Sequence, residues 1–224
     1  MGRIIIYGDI HGCLDEWMLL RKELRITPED AEISVGDLLS KGPKPLATLR
    51  YARQHGITTV LGNHEERFLE IAHAHQERPG VTLHRASQKI YQKLDSADLA
   101  YLFAMPRFVR IANLTIVHAG LTNAINLQNI QPEEEGLLTR LRYISRGAGT
   151  YEYVFWAEVY NGNQGFVVYG HTPQDLTRHP NALGIDTGCV YGEQLTAAVF
   201  EHKAARIDTK NYQIVQVAAK ERYA

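Results

Sequence analysis

The chain has 224 residues, of which 45% are hydrophobic and 22% are charged, a composition typical of a soluble globular protein that buries its own core. Its formal net charge of -1 gives no overall basic field to attract a nucleic acid or an anionic membrane. The sequence has no apolar run long enough to cross a membrane and no signal-peptide pattern, so we expect no membrane partner. The two cysteines, Cys13 and Cys189, predict no disulfide, and a reducing cytoplasm is the expected compartment.

The first third of the chain alternates between predicted strands and helices, each identified by the spacing of its apolar residues. In chain order these elements are the strand Arg3–Tyr7, the helix Leu14–Leu24, the strand Glu32–Val35, the helix Pro45–His55, the strand Thr58–Leu61 and the helix Glu65–His75. The next segment, Thr82–Ala104, is helical in pattern and polar enough to form a surface cap.

The second half of the chain is predicted to be rich in strands. Val109–Ile111 and Leu114–Val117 flank two residues that favour a turn, which indicates a hairpin. Further strands are expected at Phe166–Tyr169, Leu183–Ile185, Leu195–Phe200 and Tyr212–Val217. No repeat, low-complexity tract or linker divides the chain, so we expect one domain of the α/β (α+β) class over residues 1–224.

Five of the apolar runs end in a small residue that is closely followed by Asp, Asn or His. An Asp after a single strand is usually a turn residue and a lone His usually has a structural role, but here the pattern recurs along the chain. In layered α/β folds, side chains beyond the carboxyl ends of strands converge on the ligand site. The set of six candidate metal ligands is Asp9, His11, Asp37, Asn63, His118 and His171.

Mixed oxygen and imidazole ligands suit Mn, Fe or Zn better than Ca or a thiolate site, and Mn²⁺ is our first expectation. Asp9 and His11 lie two residues apart and can share one ion, Asp37 can bridge to a second, and the other three residues complete that second site. Two such ions, about 3.5–4 Å apart, clamp a phosphoryl group and convert a bridging water to hydroxide near neutral pH. The chemistry predicted is in-line attack of this hydroxide on phosphorus.

Three further residues are expected to act on the substrate. His64 follows Asn63 directly and can donate a proton to the departing oxygen as a general acid. Lys41 and Arg142 are candidate phosphate-binding residues. Arg140 is ranked below Arg142, although on a strand the two side chains would face the same side.

The motifs around these residues resemble those of the phosphoprotein phosphatase superfamily of metallophosphoesterases. Asp9 and His11 stand in its GDxHG motif, Asp37 in GDxxDRG, Asn63 and His64 in GNHE, His118 in H-[AG]-G and His171 in GH. The resemblance runs from Arg3 to about Phe200. It implies the calcineurin-like metallophosphoesterase fold, a central β-sandwich flanked by helices with a dinuclear metal site at one edge.

One motif departs from that superfamily. Where its protein serine/threonine phosphatases have GDxxDRG, this chain has Ser40 and Lys41 in place of the second Asp and the Arg. In the family that Asp hydrogen-bonds the catalytic His, and Ser40 cannot supply its charge. The Arg grips phosphate with a planar fork, whereas Lys41 offers a point charge. With Ser40 and Lys41 in these positions, the motif resembles that of the ApaH-like branch, which is related to symmetrical diadenosine tetraphosphatases. The segments 140–144 and 184–192 also resemble sequences of that branch.

The resemblance to this branch implies a phosphoanhydride substrate such as diadenosine tetraphosphate. A protein serine/threonine or tyrosine phosphatase is the alternative, so the expected partner is a phosphorylated small molecule or a phosphoprotein. The short second half of the chain leaves less material for a nucleoside pocket. A metal-stabilised binding module without catalysis is disfavoured, because every ligand position and His64 are filled.

Overall fold

A computed structural model describes residues 2–77, 85–146, 152–202 and 205–224 of the chain. The described strands form two five-stranded sheets and a two-stranded sheet. The first sheet has the order β12 (Tyr212–Ala218), β11 (Gln194–Glu201), β1 (Arg3–Tyr7), β2 (Ala31–Ser34) and β3 (Thr58–Thr59). The second has the order β4 (Phe108–Ile111), β5 (Leu114–Val117), β8 (Phe166–Tyr169), β10 (Ala182–Gly184) and β9 (Thr177–His179), and the small sheet pairs β6 (Tyr143–Ser145) with β7 (Tyr153–Phe155).

Each large sheet contains three neighbouring parallel strands. In the first sheet β1, β2 and β3 run parallel, and in the second β5, β8 and β10 do. The predicted hairpin is confirmed, because β4 and β5 pair antiparallel around Ala112 and Asn113. The loops that follow parallel strands leave from one edge of the sheet, so the residues after β1, β2 and β3 come together, as do those after β5, β8 and β10.

Helices cover the outer faces of the two large sheets. They are α1 (Leu14–Leu24), α2 (Pro45–Gln54), α3 (Asn63–Glu77), α4 (Arg85–Tyr91), α5 (Ser96–Phe103), α6 (Pro132–Arg140) and α7 (Trp156–Val159). A short 3₁₀ turn at Cys189–Tyr191 precedes β11. Over the described residues, none of these helices combines the length and the apolar character needed to cross a bilayer.

The core consists of three clusters that follow the alternation of side chains along the strands. Ile4 and Ile6 of β1 pack in the cluster shared by both sheets, whereas Ile5 and Tyr7 pack on the other face against Trp17 of α1. The third cluster joins the outer face of the second sheet to the helices α6 and α7. Since both faces of β1 are covered, an uninterrupted apolar run is what this strand requires. The predicted sandwich flanked by helices is confirmed.

Two predicted elements differ from the structure. The strand expected at Thr58–Leu61 is shorter, because the backbone N–H of Leu61 donates to the carbonyl of Pro106 instead of a neighbouring strand. The expected helical cap is two helices, α4 and α5, and residues 82–84 of that segment lie outside the described residues. Asp95 caps α5 by accepting from the backbone N–H of Asp98, and the fully buried Leu102 makes α5 part of the core rather than a surface cap.

The helix α6 was not predicted from the sequence, because its run of three glutamates is as typical of a solvated face as of a helix N-terminus. Glu133, Glu134 and Glu135 instead form its first turn, where carboxylates interact favourably with the helix dipole. Pro132 occupies the first helical position, and Glu134 accepts from the backbone N–H of Gln131 at 3.0 Å. The β6–β7 hairpin was also missed. Cys13 and Cys189 are buried free thiols, in agreement with the prediction of no disulfide.

Asp30 links the start of β1 to the start of β2, and its charge is expected to stabilise the fold. Its carboxylate lies 2.6 Å from Nη2 of Arg3 and accepts from the backbone N–H groups of Arg3 and Thr27. The Arg3 guanidinium lowers the pKa of Asp30 below its ordinary value of 3.8. The stabilisation is therefore fully present above that value and is lost as the pH falls below it.

We predict that Asp30→Asn lowers the free energy of unfolding at pH 7 by about 2 kcal/mol, the range for hydrogen bonds to charged groups. Urea unfolding at pH 7 and at pH 3 measures the effect, and the difference from the unsubstituted protein shrinks at the lower pH. Asp15→Asn is the matched control, because Asp15 pairs with Lys44 and Lys220 on the surface, where ion pairs contribute about 1 kcal/mol or less. Equal effects of the two substitutions at pH 7 would show that Asp30, whose side chain is 3% exposed, contributes no more to stability than the surface residue Asp15.

Candidate active site

The loops after the parallel strands of both sheets meet at one edge of the sandwich. Asp9 follows β1 and His171 follows β8, and the backbone N–H of His171 donates to Oδ1 of Asp9 at 3.1 Å. Asn63 opens α3 after β3, and its Oδ1 lies 3.0 Å from Nε2 of His118 and 3.0 Å from Nδ1 of His171. The first and second sheets therefore each contribute side chains to one cluster, as the strand-end pattern predicts.

Asp37 occupies the centre of this cluster. Its Oδ2 atom lies 3.5 Å from Nε2 of His11 and 3.5 Å from Nε2 of His118. Its Oδ1 atom accepts from the backbone N–H of His64 at 3.0 Å. His11 belongs to the first expected ion site and His118 to the second, so the Asp37 carboxylate lies between the two sets of candidate ligands. All six candidate ligands are thus brought together around Asp37.

Buried charge makes the cluster a fitting place for cations. Burial, together with the neighbouring carboxylates Asp186 and Asp37, raises the pKa of Asp9 well above its usual range. Burial also raises the pKa of Asp37 to about 7 and that of Asp186 to about 7. Three buried acids close together are costly to ionise unless cations compensate them. The pKa values of the surrounding histidines are lowered by burial, so their rings are neutral and able to coordinate.

The ligand atoms are also close enough to share ions. One atom each from Asp9, Asp37 and His118 lies within 4.8 Å of the others, and so does one atom each from His11, Asp37 and His64. Oxygen and imidazole nitrogen donors of this kind suit first-row divalent metals. The residues present therefore fit two divalent ions. The second trio includes His64, which the sequence predicts as an acid rather than a ligand.

The backbone around the cluster is held in unusual conformations. Five of the seven described residues other than glycine that have positive φ belong to the candidate site, namely His11, Asp37, Ser40, Lys41 and His171. Such conformations cost on the order of 1–3 kcal/mol each and persist where the surroundings enforce them. Gly62 and Gly170 permit the close packing, since a Cβ atom would lie 2.2 Å from Oδ1 of Asp37 at the first and 2.0 Å from Oδ1 of Asp9 at the second.

Ser40 occupies the position beside the His64 ring that the second Asp takes in the related motif. Its Oγ lies 2.6 Å from Nδ1 of His64, a hydrogen bond that fixes the orientation of the ring. Nε2 of His64 then lies 3.9 Å from Oδ2 of Asp37, on the side of the metal cluster. The Ser40 hydroxyl thus orients the His64 ring, as the Asp carboxylate of the related motif would, but it carries no charge.

The two candidate phosphate-binding residues are exposed at the rim of the cluster. Nζ of Lys41 lies 3.0 Å from Nε2 of His11 and donates to the Tyr191 hydroxyl at 2.8 Å. Nη2 of Arg142 donates to the carbonyl of His171 at 3.3 Å. Arg140 and Arg142 do not share a strand, because Arg140 is the last residue of α6, where it pairs with Glu66.

Two acidic residues of the site were not singled out from the sequence. Asp186 follows β10 and is buried beside Asp9, and it repeats the strand-end pattern that identified the others. Glu65 is fully buried and accepts from the backbone N–H groups of Asp37 at 2.7 Å and Leu39 at 2.9 Å, which fixes the loop that carries Asp37. Burial raises the pKa of Glu65 to about 8. Its adjacency to Asn63 and His64 is the signal that could have found it.

Comparisons with known proteins agree with this architecture. The chain is similar to an asymmetrical bis(5'-nucleosyl)-tetraphosphatase, PrpE, of Anoxybacillus flavithermus. The two are 30% identical over an alignment of 217 positions, which covers 86% of this chain and 88% of that protein. It is 35% identical over 135 residues to a symmetrical bis(5'-nucleosyl)-tetraphosphatase of Photobacterium profundum, covering 56% of this chain and 47% of that protein. A crystal structure of a protein provisionally described as a diadenosine tetraphosphatase superposes with a TM-score of 0.75 at 27% identity, over 97% of this chain and 94% of that one.

The sequence profile of the family described as calcineurin-like phosphoesterase matches residues 2–208. The matched range contains all six candidate ligands, His64 and both candidate phosphate-binding residues. The chain therefore belongs to the calcineurin-like phosphoesterase family and is a hydrolase of phosphoesters or phosphoanhydrides.

Proposed function

We propose that the chain is a dinuclear metal-dependent hydrolase of dinucleoside polyphosphates such as diadenosine tetraphosphate. The observation that carries the proposal is the Asp37 carboxylate, with Oδ2 at 3.5 Å from the imidazoles of both His11 and His118. Two divalent ions would supply Lewis acids for the phosphoryl oxygens and a water of lowered pKa. The names of the tetraphosphatase relatives and the Ser40–Lys41 departure support the choice of a phosphoanhydride.

The candidate ligands divide into two sets around Asp37. Asp9 and His11 are proposed to hold one ion with Asp37, and the other ion takes Asp37 together with the second set, which consists of Asn63, His118 and His171. Mn²⁺ is the preferred metal because the donors are oxygen and neutral imidazole, with Fe or Zn as alternatives. Asp186 is a further acid in the same buried cluster, and its carboxylate favours the binding of cations there.

His64 is proposed to protonate the departing oxygen. Ser40 engages Nδ1 of the ring, and this leaves Nε2 directed toward the metal cluster, where the scissile bond would lie. Lys41 and Arg142 lie at the rim and offset the negative charge of the phosphate chain. A polyphosphate carries several such charges, so cations at two rim positions suit it better than a single phosphomonoester.

The substrate is predicted to be a dinucleoside polyphosphate rather than a phosphoprotein. With Mn²⁺ present, kcat/KM for diadenosine tetraphosphate should exceed that for a serine or tyrosine phosphopeptide by at least about tenfold, because only the first substrate can use both rim cations. Chromatography of the products identifies the bond cleaved, since symmetrical cleavage yields ADP and asymmetrical cleavage yields ATP and AMP. A preference for the phosphopeptide under the same metal condition would overturn the substrate assignment.

Asp37→Asn is expected to remove one ion and most of the activity, because the amide lacks the charge and the second anionic oxygen needed for bridging. We predict that bound Mn²⁺ falls from two ions per chain toward one or none, with a loss in kcat of more than about 10²-fold. Calorimetric titration with Mn²⁺ and steady-state kinetics measure the two effects. Asp15→Asn, on the surface, is the matched control and should leave both unchanged. Two tightly bound ions with full activity in the Asp37 variant would rule out the bridge.

His64→Asn should lower kcat by about 10²–10⁴-fold, the usual contribution of general acid catalysis. The loss should be smaller for p-nitrophenyl phosphate, whose leaving group needs little protonation. The Mn²⁺ content of this variant is expected to stay at two ions per chain, which separates the acid role from a ligand role. A variant that loses an ion, or that loses equal activity on both substrates, would show that His64 is a ligand instead.

A further inference from the structure

A cavity of about 660 Å³ opens beside the metal cluster, between the end of α6 and the β6–β7 hairpin. Its lining residues are Leu137, Arg140, Leu141, Arg142, Tyr143 and Tyr153. We call it the tyrosine cavity. Its volume falls in the range of about 300–1,000 Å³ typical of small-molecule sites, and its lining combines apolar surface with a few charged groups.

Two tyrosines form an exposed aromatic surface in this cavity. Tyr143 is 59% exposed and Tyr153 is 69% exposed, the highest values among the large hydrophobic residues of the described chain. In the β6–β7 register Tyr143 lies opposite Phe155 and Ser145 lies opposite Tyr153, so both tyrosines are on one face of the hairpin as diagonal neighbours. The Tyr143 ring packs edge-on against the buried Phe155 ring, with 5.9 Å between centroids, and this contact orients it.

Arg142 connects the tyrosine cavity to the metal cluster. Its side chain lines the cavity, and its Nη2 donates to the carbonyl of the candidate ligand His171 at 3.3 Å. The charge of Arg140 is compensated by Glu66 and by Glu70, the latter at 3.8 Å. Arg142 is therefore the cation of the cavity positioned to meet an anion, and it lies at the end next to the metal ligands.

We propose that the tyrosine cavity binds a nucleobase of the substrate, stacked on Tyr143 and Tyr153, with the attached phosphates passing Arg142 toward His171. This inference rests on the proposed function and specifies where one nucleoside is held. Flat aromatic faces stack on any base, whereas a phosphopeptide offers no obligatory ring at this distance from its phosphate. A second cavity, of about 700 Å³, adjoins Tyr191, but Asp175 and Glu193 in its lining oppose a phosphate chain.

The test compares two non-hydrolysable ligands that differ only in the nucleoside, adenosine 5'-(α,β-methylene)diphosphate and methylenediphosphonate. Their dissociation constants for the Mn²⁺-loaded protein are measured by calorimetry, which needs no turnover. The nucleoside should strengthen binding by at least about tenfold, and Tyr143→Ala or Tyr153→Ala should remove about 5- to 100-fold of nucleotide affinity, as expected for loss of a base–aromatic stack. Methylenediphosphonate should bind all variants equally.

Matched variants separate stacking from other effects. Tyr143→Phe and Tyr153→Phe keep the rings and should retain nucleotide affinity, and Phe103→Ala, which removes an exposed ring on α5, should change nothing. Circular dichroism checks that the alanine variants are folded. Equal binding of the two ligands to the unsubstituted protein, or unchanged nucleotide affinity in the Tyr143→Ala/Tyr153→Ala double variant, would overturn the proposal. So would a loss of affinity in the phenylalanine variants, because it would assign the effect to the hydroxyls.

The binding test is independent of the choice of natural substrate. Tyrosine-dependent nucleotide binding without turnover of diadenosine tetraphosphate would support the cavity and reject the proposed substrate. Turnover of diadenosine tetraphosphate, together with a nucleotide affinity that is unchanged when both tyrosines are replaced, would support the proposed function. It would reject the tyrosine cavity as the binding site of the base.

Discussion

The burial of the Asp37 carboxylate where the two sheets meet is the constraint on which the rest of the site depends. Its oxygens are reached by His11 from the first sheet and by His118 from the second, while Glu65 holds the backbone that carries it. A buried carboxylate without a compensating charge is unfavourable, and here the buried acids Asp9 and Asp186 lie close by, with Lys41 offsetting their charge only in part. The fold therefore concentrates negative charge at one edge, and divalent cations are the species that relieve it.

The sandwich topology explains how such a cluster is held. Three parallel strands in each sheet end at the same edge, and the segments that follow them turn to present one or two side chains inward. The sharp turns place His11, Asp37 and His171 at positive φ, and the strands on both sides keep them there. Ser40 and Lys41 also have positive φ, so the two residues at which this chain departs from the superfamily motif lie in a sharp turn of the same kind. Ser40 orients the His64 ring as a neutral group, and Lys41 is supported by Tyr191.

Much of the sandwich and the candidate site could be predicted because their signals are local. A strand buried on both faces is an uninterrupted apolar run, and Asp9 and His171 each follow such a run after one glycine. The helix α6 was missed because three consecutive glutamates look the same on a solvated face and at a helix N-terminus. The partner of Arg140 depends on Glu66, which lies 74 residues earlier, and no local pattern reports that contact. The strands of the β6–β7 hairpin are only three residues long, too short for a clear alternating pattern, so its aromatic face emerges only from the pairing register.

The contact between His171 and Asp9 joins residues that are 162 positions apart in the chain. The metal cluster therefore has no local nucleus: neither the first third of the chain nor the last third contains enough ligands to hold two ions. Contacts between such distant segments form slowly in folding, because the entropy lost in closing the loop must be overcome before the contacts stabilise the structure. During synthesis Asp9, Asp37 and Asn63 are made before His118 and His171, so the ligand set is complete only after β8 has been made.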